Sequence, residues 1–123
     1  MNEIAIDDRD PSCVVVTWPA RRVGAAELAR FGDEVIARLR AREGAPVSVL
    51  VDVRRAGPLE AGAIKRAREI DARVCEAGVI TRRAIVVPNV IAARVLGLMI
   101  AAARPRVPTR AFVDLERARA WLG

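Results

Sequence analysis

VSVLVDVRRAGPLEAGAIKR, residues 47–66, passes from an apolar segment through a turn into a helical pattern. Apart from Ser48 and Asp52, residues 47–53 put apolar side chains on both sides of an extended chain, the mark of a central strand covered on both faces. Pro58 suits the first turn of a helix, where a missing N–H costs no hydrogen bond. Leu59, Ala63, Ala67, Ile70 and Val74 then recur at helical spacing until Gly78 ends the run.

The same unit repeats on both sides. Upstream, residues 3–6 (EIAI) and 13–18 (CVVVTW) are β-branched runs separated by the turn formers DDRDPS, a hairpin signal. Residues 24–42 carry Leu28, Phe31, Val35 and Leu39 at spacings of 3, 4 and 4, with Glu27 and Arg30, and Glu34 and Arg38, placed to pair on the outer face. Gly44, Ala45 and Pro46 stop that helix. Downstream, residues 82–87 (RRAIVV) read as a strand, and Pro88 with Asn89 opens a very apolar helix over residues 90–103, closed by Pro105 and Pro108. Residues 109–113 form a last strand, and Asp114 is a good N-cap for LERARAWL, with Leu115, Ala118, Trp121 and Leu122 facing inward. A hairpin followed by helical crossovers predicts an α/β fold with a mixed five-stranded sheet, N-terminal hairpin then βαβαβα, and four helices.

The chain has 123 residues, 53% of them hydrophobic, which suits one domain over residues 1–123. Its start is acidic, with no basic segment leading into an apolar run, so no signal or transit sequence is expected. Residues 95–103 are the longest nearly uncharged segment, and nine residues fall short of the roughly 20 that cross a bilayer. A cytoplasmic location follows as the expectation. Cys13 and Cys75 are too far apart for a metal or redox motif and read as buried, reduced thiols. The net charge of +6 comes from 20 Arg and one Lys, scattered through every segment and interleaved with Asp and Glu. With only Trp18, Phe31, Phe112 and Trp121 as aromatics, a solvated surface is the simpler reading and a nucleic-acid partner is not expected.

Residues 84–122, AIVVPNVIAARVLGLMIAAARPRVPTRAFVDLERARAWL, show a strand, an apolar helix, a proline-bounded link, a strand and a short helix closing on Ala-Trp-Leu. This order, with the central LVDVR and the opening hairpin, resembles the SpoIIAA-like proteins of the STAS superfamily (sulfate transporters and anti-sigma factor antagonists). The resemblance implies a protein-interaction or ligand-sensing module without catalysis of its own; lipid-binding Sec14-type folds are more distantly related. In the anti-sigma factor antagonists, a Ser that a kinase phosphorylates opens the helix after the central strand. Here Glu60, Ala61 and Gly62 occupy that region, Ala61 stands where the hydroxyl would be, and no Ser or Thr lies between Ser48 and Thr81. A phosphate switch needs a hydroxyl, so that regulation is not carried over.

The inventory argues against catalysis. Without His, neither a Ser-His-Asp nor a Cys-His arrangement can form, and the commonest nitrogen ligand for a metal is missing. The glycines form no phosphate-cradling loop, and Lys65, among Arg66 and Arg68, reads as solvated. The remaining enzymatic reading pairs Asp52 with Glu60. The chain is therefore expected to bind, with no cofactor and no metal. Candidate ligand- or partner-binding residues are Asp52, Arg54, Arg55, Gly57, Glu60 and Ala61, at the carboxyl end of the central strand and the start of a helix, where anions are favoured. In the helix over 90–103, burial under a covered sheet accounts for most of the apolar content. Val95, Leu98 and Met99 are the excess and the candidate interface for a homodimer. Residues 104–110 form a basic, proline-stiffened connector. The alternative function is a carrier of a small apolar or lipid-like ligand beneath that helix.

Overall fold

The computed structural model describes residues 3–57 and 61–123. Its elements run β1 (Ala5–Asp7), β2 (Cys13–Thr17), α1 (Ala25–Arg40), β3 (Val47–Asp52), α2 (Ala61–Ala77), β4 (Ile80–Val86), α3 (Val90–Ala103), β5 (Thr109–Phe112) and α4 (Leu115–Leu122). The five strands form one sheet in the order β1-β2-β3-β4-β5. β1 is antiparallel to β2, with Ile6 opposite Val16, and every later neighbour is parallel. This is the mixed α/β sheet that one hairpin followed by helical crossovers requires.

Polar groups in the hairpin turn fix its geometry. The Asp10 carboxylate accepts from the Ser12 N–H and hydroxyl, both at 2.8 Å. Arg42, just beyond α1, donates to the carbonyls of Pro11, Asp8 and Asp10 and ties that turn to the helix end. The left-handed pair Glu43 and Gly44 then reverses the chain into β3. β1 begins two residues later than its apolar run, and β4 begins at Ile80, where Val79 accepts a hydrogen bond from the Val47 N–H.

β3 lies at the centre, and its alternation sorts the core into two layers. On one face Val14, Val16, Val47 and Val49 meet Val35 and Leu39 of α1, with Val74 and Cys75 of α2 packed alongside. On the other face Leu50, Ala84 and Val86 meet Ala118 of α4, flanked by Phe112, Trp121 and Leu122. α1 and α2 approach closely because position 32 is glycine: a Cβ there would sit 2.8 Å from Ile70 Cγ2. Glu34 pairs with Arg38 as its spacing suggests, whereas Glu27 turns back to Arg21 instead of reaching Arg30.

α3 departs from expectation. It has no buried residue, so burial does not account for its apolar content. It leans on the edge strand β5, with Ala92, Ala93, Leu96 and Ile100 half-buried, while Ile91 and Leu98 stand 76% and 74% exposed. An edge strand of four residues offers a helix of 14 a short seat, with no further layer beyond it among the described residues. The cysteines also differ from the reading as buried thiols: both are free, but half-buried.

Candidate functional site

Asp52 is the last residue of β3 and organises the turn that follows. Its backbone carbonyl accepts from the Trp18 N–H at 3.0 Å, joining the ends of β2 and β3. Its side chain accepts from the Arg54 N–H at 3.1 Å, the turn-forming role that short carboxylates favour, and from Arg54 Nε and Nη2 at 3.0 and 2.8 Å. The Arg54 hydrogen bond holds the Asp52 carboxyl below its ordinary range; partial burial opposes this, and Arg55 adds a further downward pull. Asp52 is thus an ionised, committed acceptor, unsuited to general acid work.

The loop after Arg55 is clamped from behind. The Gly57 N–H donates to the Arg21 carbonyl at 3.2 Å, and a Cβ on Gly57 would lie 3.1 Å from the Arg21 backbone. Glycine allows this approach of two main chains. Arg21 in turn holds Glu27 at 2.7 Å, which anchors residues 19–23 to the first turn of α1. The Trp18 ring lies edge-on to Phe31, with centroids 6.5 Å apart.

Between these supports lies a cleft of about 400 Å³, whose lining includes Glu3, Thr17, Trp18, Pro19, Asp52, Arg54 and Arg55. It opens at the carboxyl ends of β2 and β3, beside the start of β1. Arg54 has its charge matched by Asp52. Arg55 is exposed and makes no ion pair among the described residues. The cleft therefore sets Arg55, free of an ion pair among the described residues, beside an apolar Trp–Pro wall, an arrangement that can hold an anionic group, with Glu3 as the second carboxylate of the lining. Among the described residues, no three of His, Cys, Asp and Glu come together to hold a metal.

The structure brings Asp52, Arg54 and Arg55 into one cleft, and Gly57 shapes the loop behind them. Glu60 lies outside the described residues, with Pro58 and Leu59; Ala61 is the first residue of α2, its side chain likewise outside the description. Val95, Leu98 and Met99 lie on α3 and are 53%, 74% and 53% exposed. Thr17, Trp18 and Pro19 were not anticipated in the cleft. The parallel register that sets Thr17 beside Asp52 places them there, and no local pattern encodes that register. Strand order also runs unbroken across the sheet, so the cleft is not the crevice found where a doubly wound sheet reverses.

A second anticipated feature, the space beneath α3, is an open groove of about 310 Å³ between α3, β5 and α4. Phe112 and Val90 line it together with Arg94, Arg110, Arg117 and Asp114. No helix among the described residues is long and apolar enough to cross a membrane.

Comparison with known proteins agrees with this architecture. No curated protein matches the sequence. Among solved structures, the chain is similar to an uncharacterised protein of the DUF3478 family with a SpoIIAA-like fold from Shewanella loihica PV-4. The TM-score is 0.77 at 14% identity, covering 100% of this chain and 96% of that one. It is also similar to an anti-sigma-factor antagonist (STAS) domain protein from Planctomyces limnophilus, with a TM-score of 0.59 at 19% identity, covering 98% and 99%. At these identities the likeness is one of fold. The SpoIIAA-like family model matches residues 15–123, from the second strand to the last residue. The chain therefore belongs to the SpoIIAA-like family.

Proposed function

We propose that this protein is a non-enzymatic binding module of STAS type, which holds an anionic group of a protein partner or small ligand in the cleft between β2, β3 and the 53–57 loop. The observation that carries this reading is Arg55, exposed and without an ion pair among the described residues, beside the Trp18–Pro19 wall and next to an Asp52–Arg54 pair that is already satisfied. The membership supports it, since STAS-type domains generally act by binding. The residue inventory supports it further: there is no His, and Asp52 is committed to Arg54. Covalent regulation is no part of the proposal, because the chain has no Ser or Thr between Ser48 and Thr81 to accept a phosphate after the central strand.

Isotope-labelled chain titrated with inorganic phosphate and with an oligo-glutamate peptide tests the reading by NMR. Saturable amide shifts confined to residues 17–20 and 54–57, with the Trp18 indole resonance, are expected and should vanish in Arg55→Glu. Shifts spread over the scattered arginines, or none at millimolar probe, would contradict it. The alternative of an apolar-ligand carrier has less support, because the groove beside α3 is open and carries three arginines and an aspartate.

A further inference from the structure

We infer that the outward face of α3 is a self-association surface and that its occupant is a second copy of this chain, packed antiparallel across a two-fold axis. The inference does not depend on the cleft, which lies at the carboxyl ends of β2 and β3, whereas α3 sits on the β5 edge.

The face is apolar and continuous. Ile91, Val95, Leu98 and Met99 are 76%, 53%, 74% and 53% exposed, about two and a half whole large side chains' worth of apolar surface on one side of the helix, away from the groove that Val90 lines. At roughly 150 Å² for each, that is about 380 Å², within the range of the largest patches monomers carry and commonly functional. Two such faces together bury about 770 Å², below the roughly 1,000 Å² where specific, stable interfaces begin. A weak, reversible, concentration-dependent dimer is what this area allows.

The pattern along the helix identifies the occupant. Ile91, Val95, Leu98 and Ala102 recur at spacings of 4, 3 and 4, the narrow seam by which one helix packs on another. A lipid surface asks instead for a broad apolar face flanked by Lys and Arg, and α3 has Arg94 as its one charge. The seam is also complementary to itself. When two copies pack antiparallel with the two-fold axis level with residues 96–97, Ile91 comes opposite Ala102 of the second copy and Val95 opposite Leu98, so each layer sets a larger side chain against a smaller one. A closed two-fold interface requires this reciprocity. Leu96 and Ile100 are not needed for the seam, since they already lean on β5.

Sedimentation of the full chain from about 1 to about 500 µM tests the inference, a span that covers dissociation constants expected at the low end of interface size. A monomer–dimer equilibrium within that range is expected, and Leu98→Glu should weaken it at least about thirtyfold, as for the loss of one central anchor. Because these positions are exposed, the variant should keep the wild-type circular dichroism and, at concentrations where both are monomeric, the wild-type melting temperature. Val95→Arg combined with Leu98→Glu should restore dimerisation, since antiparallel packing sets the two new charges against each other across the axis. Wild-type chain that stays monomeric at the highest concentration, or a dimer indifferent to Leu98→Glu, overturns the inference. So does a monomer that binds vesicles of phosphatidylcholine and phosphatidylglycerol and loses them on Leu98→Glu, an outcome that assigns the face to a membrane surface.

Discussion

At the scale of single residues, two ion pairs make opposite demands on their partners. Arg83 is buried in β4 with its side chain 9% exposed and donates to Asp71 of α2, which is 52% exposed; its Nε finds no acceptor among the described residues. Removing the carboxylate leaves a buried, unpaired cation, whereas removing the cation leaves an aspartate that water can solvate. Asp71→Ala should therefore cost about 2–4 kcal/mol in urea unfolding, and Arg83→Met less than about 1 kcal/mol. Equal costs would mean that Arg83 is better solvated than its burial indicates. The Asp52–Arg54 pair carries a pH signature. Because the folded carboxyl is held below its ordinary value of 3.8, its contribution to stability is complete above that pH and is lost as pH falls through the lower, folded-state value. The stability gap between wild type and Asp52→Asn should be constant near neutral pH and shrink below about pH 4. A gap unchanged down to pH 2.5 would contradict the pairing.

At the scale of elements, glycine separates a packed helix from an unpacked one. Gly32 lies where α1 meets α2, and an added Cβ would reach 2.8 Å from Cγ2 of the buried, branched Ile70 side chain. Around Gly97 in α3, an added Cβ meets nothing within 4 Å. Both substitutions to Ala improve helix propensity by about 1 kcal/mol, but at position 32 overpacking of about 1–3 kcal/mol opposes it. Gly97→Ala should thus stabilise by about 0.5–1 kcal/mol and Gly32→Ala should destabilise by about 1 kcal/mol, as read by denaturant midpoints at constant m. Elements of this kind were legible wherever local chemistry is strong. Asn89 accepts from the Ala92 N–H and Asp114 from the Glu116 N–H, and α3 and α4 run over the residues their caps and periodicity define. Less legible was what lies beyond the element. Periodicity marks α3 as apolar on several sides but does not encode that its seat is a four-residue edge strand. Arg82 and Arg83 carried a usable signal, since adjacent residues of a strand covered on both faces must send one charge to each side. Arg82 stacks over the Trp121 ring at 5.1 Å, and Arg83 goes under α2.

At the scale of the whole molecule, the order of elements in the sequence was enough for the sheet, because one hairpin and three crossovers leave few ways to arrange five strands. The cleft was only half legible. Asp52, Arg54 and Arg55 stand in an obvious turn, while Trp18 and Pro19 join them through a register between strands separated by α1. The cleft with Arg55 lies at the carboxyl ends of β2 and β3 and the apolar seam lies on α3, so substitutions at one should leave the other's readout unchanged. In the proposed function the chain works by binding through the cleft, without covalent modification. Affinity capture from the native host, with wild type and Arg55→Glu recovered side by side and read by native and peptide mass spectrometry, puts this to the test. An unmodified chain carrying a protein or anionic small molecule that Arg55→Glu loses is the expected result. Phosphate found on residues 52–66, or identical partners on both chains, would contradict it.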